Sequence, residues 1–439
     1  MVAGGMEEKT LVALFGFGAM LALMLIRVPI GVCLGAVAIG GFAYLNGWWP
    51  ALGLLVHSPI RTVTDFNFSV IPMFILMGVL VSRSGMSREL FRTAAAWFGH
   101  LPGGMAVATV FASGGFAAIN GSAIANATTM ATVALPKMRR HGYHPGLSMG
   151  VIAAGGTLGP LIPPSVLFVL YGILVDENIS RLFIAGILPG VLAMALYCVA
   201  IQAVYWYRPA LLPRGALASW SERWTSVREI WATLLLFTIV IGGLYGGFVT
   251  VVEAASLGVM GALFIGVVRG RLPWKEIMGS LVEALRTAAA IFMLIIGVFL
   301  FQYFLAVTQT SQQVAQWLSG LQFAPITIIV FIVIGYLIAG TFIDEVATML
   351  LTVPILHPVV VQLGFDPVWF GVLVVTTATI GMIAPPVGII CFILNSMVRE
   401  ISLMTIYRGV LPFVAADLVR LALLVAFPAI TLFLPRTMS

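Results

Sequence analysis

Two stretches of this 439-residue chain carry the residue types that can hold a small cation away from water. One reads Gly155-Gly156-Thr157-Leu158-Gly159-Pro160-Leu161-Ile162-Pro163-Pro164-Ser165; the other reads Thr376-Thr377-Ala378-Thr379-Ile380-Gly381-Met382-Ile383-Ala384-Pro385-Pro386. Proline lacks an amide donor and clashes with the preceding turn, so no helix runs through Pro-Pro. At membrane depth the freed carbonyls need partners, and such a break survives only against protein or a wet cavity. Carbonyl and threonine oxygens suit a small hard cation. Two polar clusters add to this set: Ile119-Asn120-Gly121-Ser122-Ala123-Ile124-Ala125-Asn126 and Gly340-Thr341-Phe342-Ile343-Asp344-Glu345. Their small residues admit close backbone approach. Asp344 is read as helping to neutralise a cation, the alternative being a carboxylate at a wet turn with no ligand.

The elements that position these groups must be membrane helices. The chain is 61% hydrophobic and only 9% charged, with a mean hydropathy of +1.10. A soluble protein of this size needs far more charge on its surface. Apolar runs of roughly 17–25 residues, enough to cross a ~30 Å hydrocarbon core, recur from end to end. Spans are expected at 10–26, 29–45, 68–81, 146–175, 182–205, 231–245, 251–268, 277–304, 367–398 and 404–433. The first reads as a span and not a cleaved signal, because Glu7 and Glu8 precede it.

Loop charge sets the orientation. Arg27, Arg83, Arg88, Arg92, Lys137, Arg139, Arg140, Arg208, Arg214, Arg223, Arg228, Arg269, Arg271, Lys275, Arg399 and Arg408 fall in alternate loops. By the positive-inside rule those loops are cytoplasmic, and both termini lie outside. Loops around 48–65, 176–181, 246–250 and 308–324 carry few bases. The assignment closes if the apolar stretches at 102–136 and 325–361 each begin and end on one side. They are read as re-entrant helical hairpins; two ordinary spans apiece would satisfy the same rule. The net charge of +6 follows from this loop pattern and does not call for nucleic acid. Arg83–His100 reads as an amphipathic interfacial helix, with Leu90, Phe91, Ala94, Trp97 and Phe98 on its apolar side.

The punctuation of the chain repeats. Pro136 and Pro358, Gly142 and Gly364, Pro145 and Pro367, Gly159 and Gly381, and both Pro-Pro pairs stand 222 positions apart. The loop charges give the halves opposite orientations. The expected fold is therefore an all-α integral membrane protein of two inverted repeats, residues 1–228 and 229–439. Each half contains a hairpin (102–136, 325–361) and a broken helix (146–176, 367–398). No paired aspartates, histidine cluster or Asp-rich run suggests an enzyme. Cys33, Cys198 and Cys391 lie singly in apolar segments. Glu253 is read as a helix cap, and Asp417 and Arg420 as a pair across one turn.

At Gly155–Ser165, Gly381–Gly388 and Gly246-Gly247-Phe248-Val249-Thr250-Val251-Val252-Glu253-Ala254-Ala255 the chain resembles the large membrane subunit of tripartite ATP-independent periplasmic (TRAP) transporters. Val251-Val252 stand where the family's usual motif has Pro-Thr, and the tip Asn120-Gly121-Ser122 is less serine-rich than the family's. The resemblance implies an elevator-type fold of the ion-transporter superfamily, with sodium as coupling ion and no other cofactor. It also implies a small organic anion as substrate, a soluble periplasmic binding protein, and a small four-helix membrane subunit supplied as a separate chain. The location it implies is a bacterial inner membrane. On that footing one sodium site is expected at Asn120, Ser122, Gly156, Thr157 and Gly159, and a second at Thr341, Asp344, Thr377, Thr379 and Gly381. The substrate is expected among Asn120, Ser122, Ser165, Thr341 and Asn395, near half-helix N-termini whose dipoles favour anions. A stand-alone sodium–dicarboxylate symporter or an ion antiporter of the same superfamily is the alternative.

Overall fold

The structure, a computed structural model, describes residues 2–437 apart from 216, 321 and 322. The two ends of the chain, and with them the expectation about the termini themselves, lie outside the described residues. The first half contains α1 (Val2–Leu25), α2 (Ile30–Asn46), α3 (Trp48–Thr64), α4 (Val70–Arg83), α5 (Met86–Phe98), α6 (Gly104–Asn120), α7 (Ala123–Val133) and α8 (Leu135–Arg140). It continues through α9 (Pro145–Thr157), α10 (Val166–Val175), α11 (Ile179–Tyr207) and α12 (Trp220–Glu229). The second half begins with α13 (Trp231–Phe237) and α14 (Gly243–Tyr245), joined by one wide turn, then α15 (Val251–Val268), α16 (Trp274–Thr308) and α17 (Thr310–Gly320). It ends with α18 (Pro325–Phe342), α19 (Glu345–Gln362), α20 (Pro367–Gly381), α21 (Ile389–Met397), α22 (Leu403–Ala426) and α23 (Ala429–Leu432). No strand occurs among the described residues. Among the described residues eight helices are long and apolar enough to cross a membrane.

The element order recurs at the offset that the prolines gave. Amphipathic α5 corresponds to α17, α6 and α7 to α18 and α19, α9 and α10 to α20 and α21, and α11 to α22. One difference separates the halves. The counterpart of α3 and α4 is the single 35-residue α16, because Asp65 ends α3 and accepts from the Asn67 amide at 2.9 Å, starting a new turn.

Two segments read as loops are helical. Residues 48–65 form α3, and 308–324 include α17. Both are too polar to register as spans. In α3 only Ala51, Ser58 and Thr62 are buried, so one narrow face holds it against α2 and α16. Packing, not hydropathy, makes it a helix.

Two groups of helices result. One joins α1–α4 to α15 and α16; the other packs α6, α7, α9–α11 and α18–α22 around a common centre. At that centre every residue of α9 from Gly146 and of α20 from Val368 is buried. Helices apolar on all sides sit in a protein core or face lipid, and the packing here encloses both. Each starts at a proline whose missing amide is no loss there. His144 Nδ1 caps α9 by accepting from the Gly146 amide at 3.2 Å, and Asp366 caps α20 by accepting from Val368 at 2.8 Å.

The basic loops gather on one face, locked by ion pairs between distant segments. Arg83 reaches Glu276 and Glu283 at 2.7 Å, Arg92 reaches Glu229 at 2.9 Å, and Arg139 reaches Glu400 at 3.2 Å. Glu89 on α5 accepts from Arg269 at 2.9 Å and also pairs with Arg271. At the other face Thr10 bonds Gln313 at 3.0 Å and Tyr245 meets Thr437 at 3.1 Å.

Backbone contact is closest between α9 and α22. A Cβ at Gly409 would fall 1.8 Å from the Gly146 carbonyl oxygen, and one at Gly150 2.1 Å from that of Gly409. Gly409→Ala must push these helices apart and should destabilise the protein by about 1–3 kcal/mol. Gly335→Ala, at a position with open space around it, should be neutral or slightly stabilising. Thermal unfolding of the purified protein in detergent checks both; equal midpoints would contradict the close contact.

Candidate functional site

Both hairpins turn back at the level of the breaks. A Cβ on Gly121, at the tip between α6 and α7, would lie 2.7 Å from the Pro164 carbonyl. One on Gly159 would lie 2.5 Å from that of Ser122. In the second half a Cβ on Gly381 would lie 2.4 Å from the Gly340 carbonyl carbon, and the Gly388 amide donates to the Thr341 oxygen at 3.3 Å. The two tips also approach each other, the Glu345 carboxyl lying beside the Ala123 amide. α18 and α19 are each 18 residues, long enough to cross; these contacts, not length, make the pair re-entrant.

Ser122 and Asp344 occupy equivalent positions and do equivalent work. Ser122 Oγ accepts from the Ala125 amide at 3.4 Å, starting α7. Asp344 Oδ1 accepts from Val346 and Ala347 at 3.0 Å each, starting α19. Such caps satisfy amides that otherwise stay orphaned at a helix start. The second carboxylate oxygen of Asp344 takes no part in the cap.

The two breaks differ in how their carbonyls are satisfied. In the first, Gly159 and Pro160 stand four residues before Pro163 and Pro164, which have no amide to return. No described donor reaches either oxygen. In the second, Gly381 O accepts from Ala384 at 3.1 Å and Met382 O from Ile390 at 3.0 Å. Tyr407 donates to the Pro386 carbonyl at 2.8 Å. More of the freed carbonyls thus find partners at the second break than at the first.

The expected ligand sets assemble only in part. Ser122, Gly156 and Gly159 come together; a Cβ on Gly156 would meet the Ala123 oxygen at 3.0 Å. Asn120 turns the other way, its side chain against Gly78 of α4. The Thr157 hydroxyl lies 2.7 Å from Ala154 O and 2.8 Å from the Tyr197 hydroxyl, so it faces α11 and not the tip. In the second set Thr341, Asp344 and Gly381 lie at the tip contact. Thr341 donates to Ile338 O at 2.7 Å, leaving its oxygen lone pairs free to accept. Thr377 shares a helix face with Gly381, one turn on, whereas Thr379 projects from the far side of α20. Both hydroxyls donate into their own helix, Thr379 at 3.0 Å to Val375 O.

Of the remaining substrate candidates, Ser165 is buried beside the first tip, where it caps α10 by accepting from Phe168 at 3.3 Å. Asn395 is turned away. Its amide donates to Ile401 O at 2.7 Å, closing the turn after α21.

A buried chain of polar groups behind the first break was only half legible. Asp417 and Arg420 pair at 2.9 Å with both side chains fully buried, as their spacing suggested. The partner from the other half, Tyr197, reaches both Asp417 oxygens at 2.8 and 2.9 Å. A phenol has one proton, so it serves one oxygen at a time, while Thr157 can donate to it in turn. Asn126 is similar in kind: its amide donates to Ser113 O at 3.2 Å and Gly155 O at 3.0 Å, tying hairpin to broken helix. Glu253 forms the expected cap, a reciprocal pair with Thr250.

Two cavities approach this centre from opposite faces. One, of about 1310 Å³, opens at the base-poor face among α3, α10 and α16 and includes no residue of either tip or break. The other, of about 400 Å³, opens at the basic face between α4, α5 and α7 and reaches Asn120.

Comparison with known proteins gives a consistent result. A family model described as "Tripartite ATP-independent periplasmic transporter, DctM component" matches residues 17–430. The sialic acid TRAP transporter large permease protein SiaM of Vibrio cholerae is 32% identical over 428 residues, covering 96% of this chain and 97% of that protein. The C4-dicarboxylate TRAP transporter large permease protein DctM of Pseudomonas aeruginosa is 33% identical over 398 residues, 88% and 92% of the two chains. Among solved structures, the YdaH transporter of Alcanivorax borkumensis shares the fold with a TM-score of 0.67 at 14% identity, over 91% and 98% of the chains.

The buried ion pair yields a graded prediction. Asp417→Ala leaves Arg420 uncompensated and should cost about 3–5 kcal/mol. Tyr197→Phe leaves the pair intact but removes one donor, costing about 1–3 kcal/mol. Unfolding midpoints in detergent should rank wild type above Tyr197→Phe above Asp417→Ala; any other order contradicts the network.

Proposed function

Because this chain belongs to the family of TRAP transporter large permeases, we propose that it performs sodium-coupled uptake of a small organic anion handed to it by a periplasmic binding protein. It is a multi-pass membrane protein, and its relatives are transporter permeases, not enzymes. The observation that carries the proposal is the meeting of both hairpin tips with both broken helices, backbone to backbone, at the centre of the fold. Such a junction brings carbonyl oxygens, hydroxyls and a carboxylate together where water is scarce.

Sodium binds first at the oxygen-rich junction of Ser122, Gly156 and Gly159, with the unpartnered Gly159 carbonyl as its strongest argument. A second ion takes Thr341, Asp344, Thr377 and Gly381, where the free Asp344 oxygen supplies charge. The substrate anion lies between the tips, near the starts of α7 and α19, whose N-terminal amides favour negative charge. The halves 1–228 and 229–439 act as inverted repeats. The core built from α6–α11 and α18–α22 moves as an elevator against the frame of α1–α4, α15 and α16. With the basic face in the cytoplasm of a bacterial inner membrane, the cavity that reaches Asn120 supports reading this state as inward-facing. A small four-helix membrane subunit buttresses the frame.

The energetics follow from charge. One positive charge moving inward gains about 2.3 kcal/mol per 100 mV, roughly a 50-fold accumulation. Two sodium ions with a monoanion exploit that potential directly. With a dianion the step is electroneutral and the sodium gradient alone drives it.

Reconstitution of this chain with its small subunit and binding protein in proteoliposomes tests the reading. Uptake should require an inward sodium gradient and the binding protein, and should stop when potassium replaces sodium. Asp344→Ala should raise the half-saturating sodium concentration by about tenfold or more, from loss of a charged ligand. Uptake indifferent to sodium would reject the scheme; unchanged sodium dependence in Asp344→Ala would reject the second site.

A further inference from the structure

The cavity on the basic face has a charge inventory that sets one residue apart. It begins at Asn120, at the first hairpin tip, and runs between α4 and α5 on one side and α7 on the other. Three charged side chains line it: Arg83, Arg88 and Glu283. Arg83 is spent, holding Glu283 and Glu276 at 2.7 Å each. Glu89, next to Arg88 in sequence, is likewise taken by Arg269 and Arg271. Among the described residues Arg88 has no carboxylate partner, and it is exposed. Arg88 is therefore the guanidinium on the cavity wall that no carboxylate holds among the described residues.

The surroundings reinforce that field. Lys137, stacked over Phe91 at 5.1 Å, has its ammonium held below the usual lysine range, first by burial and then by Arg92, Arg140 and Arg88. Across the cavity from α5, α7 presents the hydroxyls of Thr128, Thr129 and Thr132. Thr128 donates to Ile124 O at 2.9 Å and Thr132 to Thr129 O at 2.8 Å, so their oxygens remain open as acceptors. At the inner end the Asn120 amide nitrogen is buried without an acceptor. A guanidinium, an unfilled amide donor and a row of hydroxyls form a site for a carboxylate on a polar, hydroxylated body.

We propose that Arg88 is the residue that receives the carboxylate of the transported anion as it leaves the hairpin tip toward the basic face. The assignment rests on the transport reading and deepens it. Arg88 sits on α5, which packs against α6 and α12 and is tied through Glu89 to Arg269 and Arg271 at the α15–α16 turn. It thus supplies a counter-charge on the exit path, apart from the proposed sodium ligands. Its planar fork binds a carboxylate through two parallel hydrogen bonds, which a lysine cannot reproduce.

The test uses the complete transporter in proteoliposomes, with labelled succinate and N-acetylneuraminate as probes and whichever the binding protein accepts as readout. Arg88→Gln should lower uptake at least about tenfold at subsaturating probe, with half-saturating sodium and unfolding midpoint unchanged. Arg88→Lys should fall between it and wild type. Lys137→Gln, which weakens the same field without touching the cavity, should transport normally. Wild-type uptake in Arg88→Gln, or an equal loss in Lys137→Gln, would overturn the proposal. The Arg88 effect should persist in liposomes of phosphatidylcholine alone; an effect confined to anionic lipid would assign Arg88 to a headgroup phosphate instead, and overturn it. Sodium-independent wild-type uptake with a full Arg88 effect would defeat only the coupling scheme, whereas sodium-driven uptake without an Arg88 effect would defeat only this residue.

Discussion

A backbone amide or carbonyl buried away from water must find a partner, and that requirement organises this molecule. Unbroken helices meet it automatically. Four half-helices, α9, α10, α20 and α21, do not, because Pro163-Pro164 and Pro385-Pro386 deny donors to the turns before them. Their loose ends cannot face lipid, so they are enclosed by the hairpin tips, whose own helix starts need acceptors. Ser122 and Asp344 supply these at the tips, as Ser165 does for α10. The site is what remains after the ends of four half-helices and two hairpins have satisfied one another.

That mutual satisfaction is unequal, and the inequality has consequences. At the second break the Tyr407 hydroxyl and the amides of Ala384 and Ile390 occupy the freed carbonyls. At the first, Gly159 and Pro160 keep theirs, while Tyr197, whose hydroxyl meets that of Thr157, is engaged with Asp417. A repeat that duplicates the elements therefore does not duplicate the chemistry. Prolines and glycines hold the architecture in register, and the side chains around them assign each copy its own role.

The frame around this centre is secured by different forces. Ion pairs on the basic face join α4, α5 and the α15–α16 turn across roughly half the sequence, as Arg83 with Glu276 and Arg271 with Glu89 illustrate. Individually the exposed pairs contribute little, whereas Glu89, which meets two arginines, is buried. As a connected set they fix where α5 lies, and so where Arg88 stands relative to the cavity beneath the hairpin. Close glycine contacts such as Gly409 with Gly146 bring α22 onto α9, as helices pack where no hydrophobic force distinguishes protein from lipid.

The sequence alone determined the membrane class, most of the spans, the basic face, the matched breaks and the family, because composition, loop charge and proline position act locally and are written in linear order. It also showed Asp417 beside Arg420, since both lie on one helix turn. It missed α3 and α17, whose helicity comes from docking a narrow face and not from hydropathy. Length left the hairpins open, since α18 and α19 could each cross; only the contacts of Gly121, Gly340 and Glu345 turned them back. Tertiary structure alone decided that Asn120 and Asn395 face away from the tip junction, that Thr157 belongs to Tyr197, and that Thr377 and Thr379 point to opposite sides. The direction of a side chain depends on which helices close around it, and residues 220 positions apart, such as Tyr197 and Asp417, carry no mark of each other until the chain has folded.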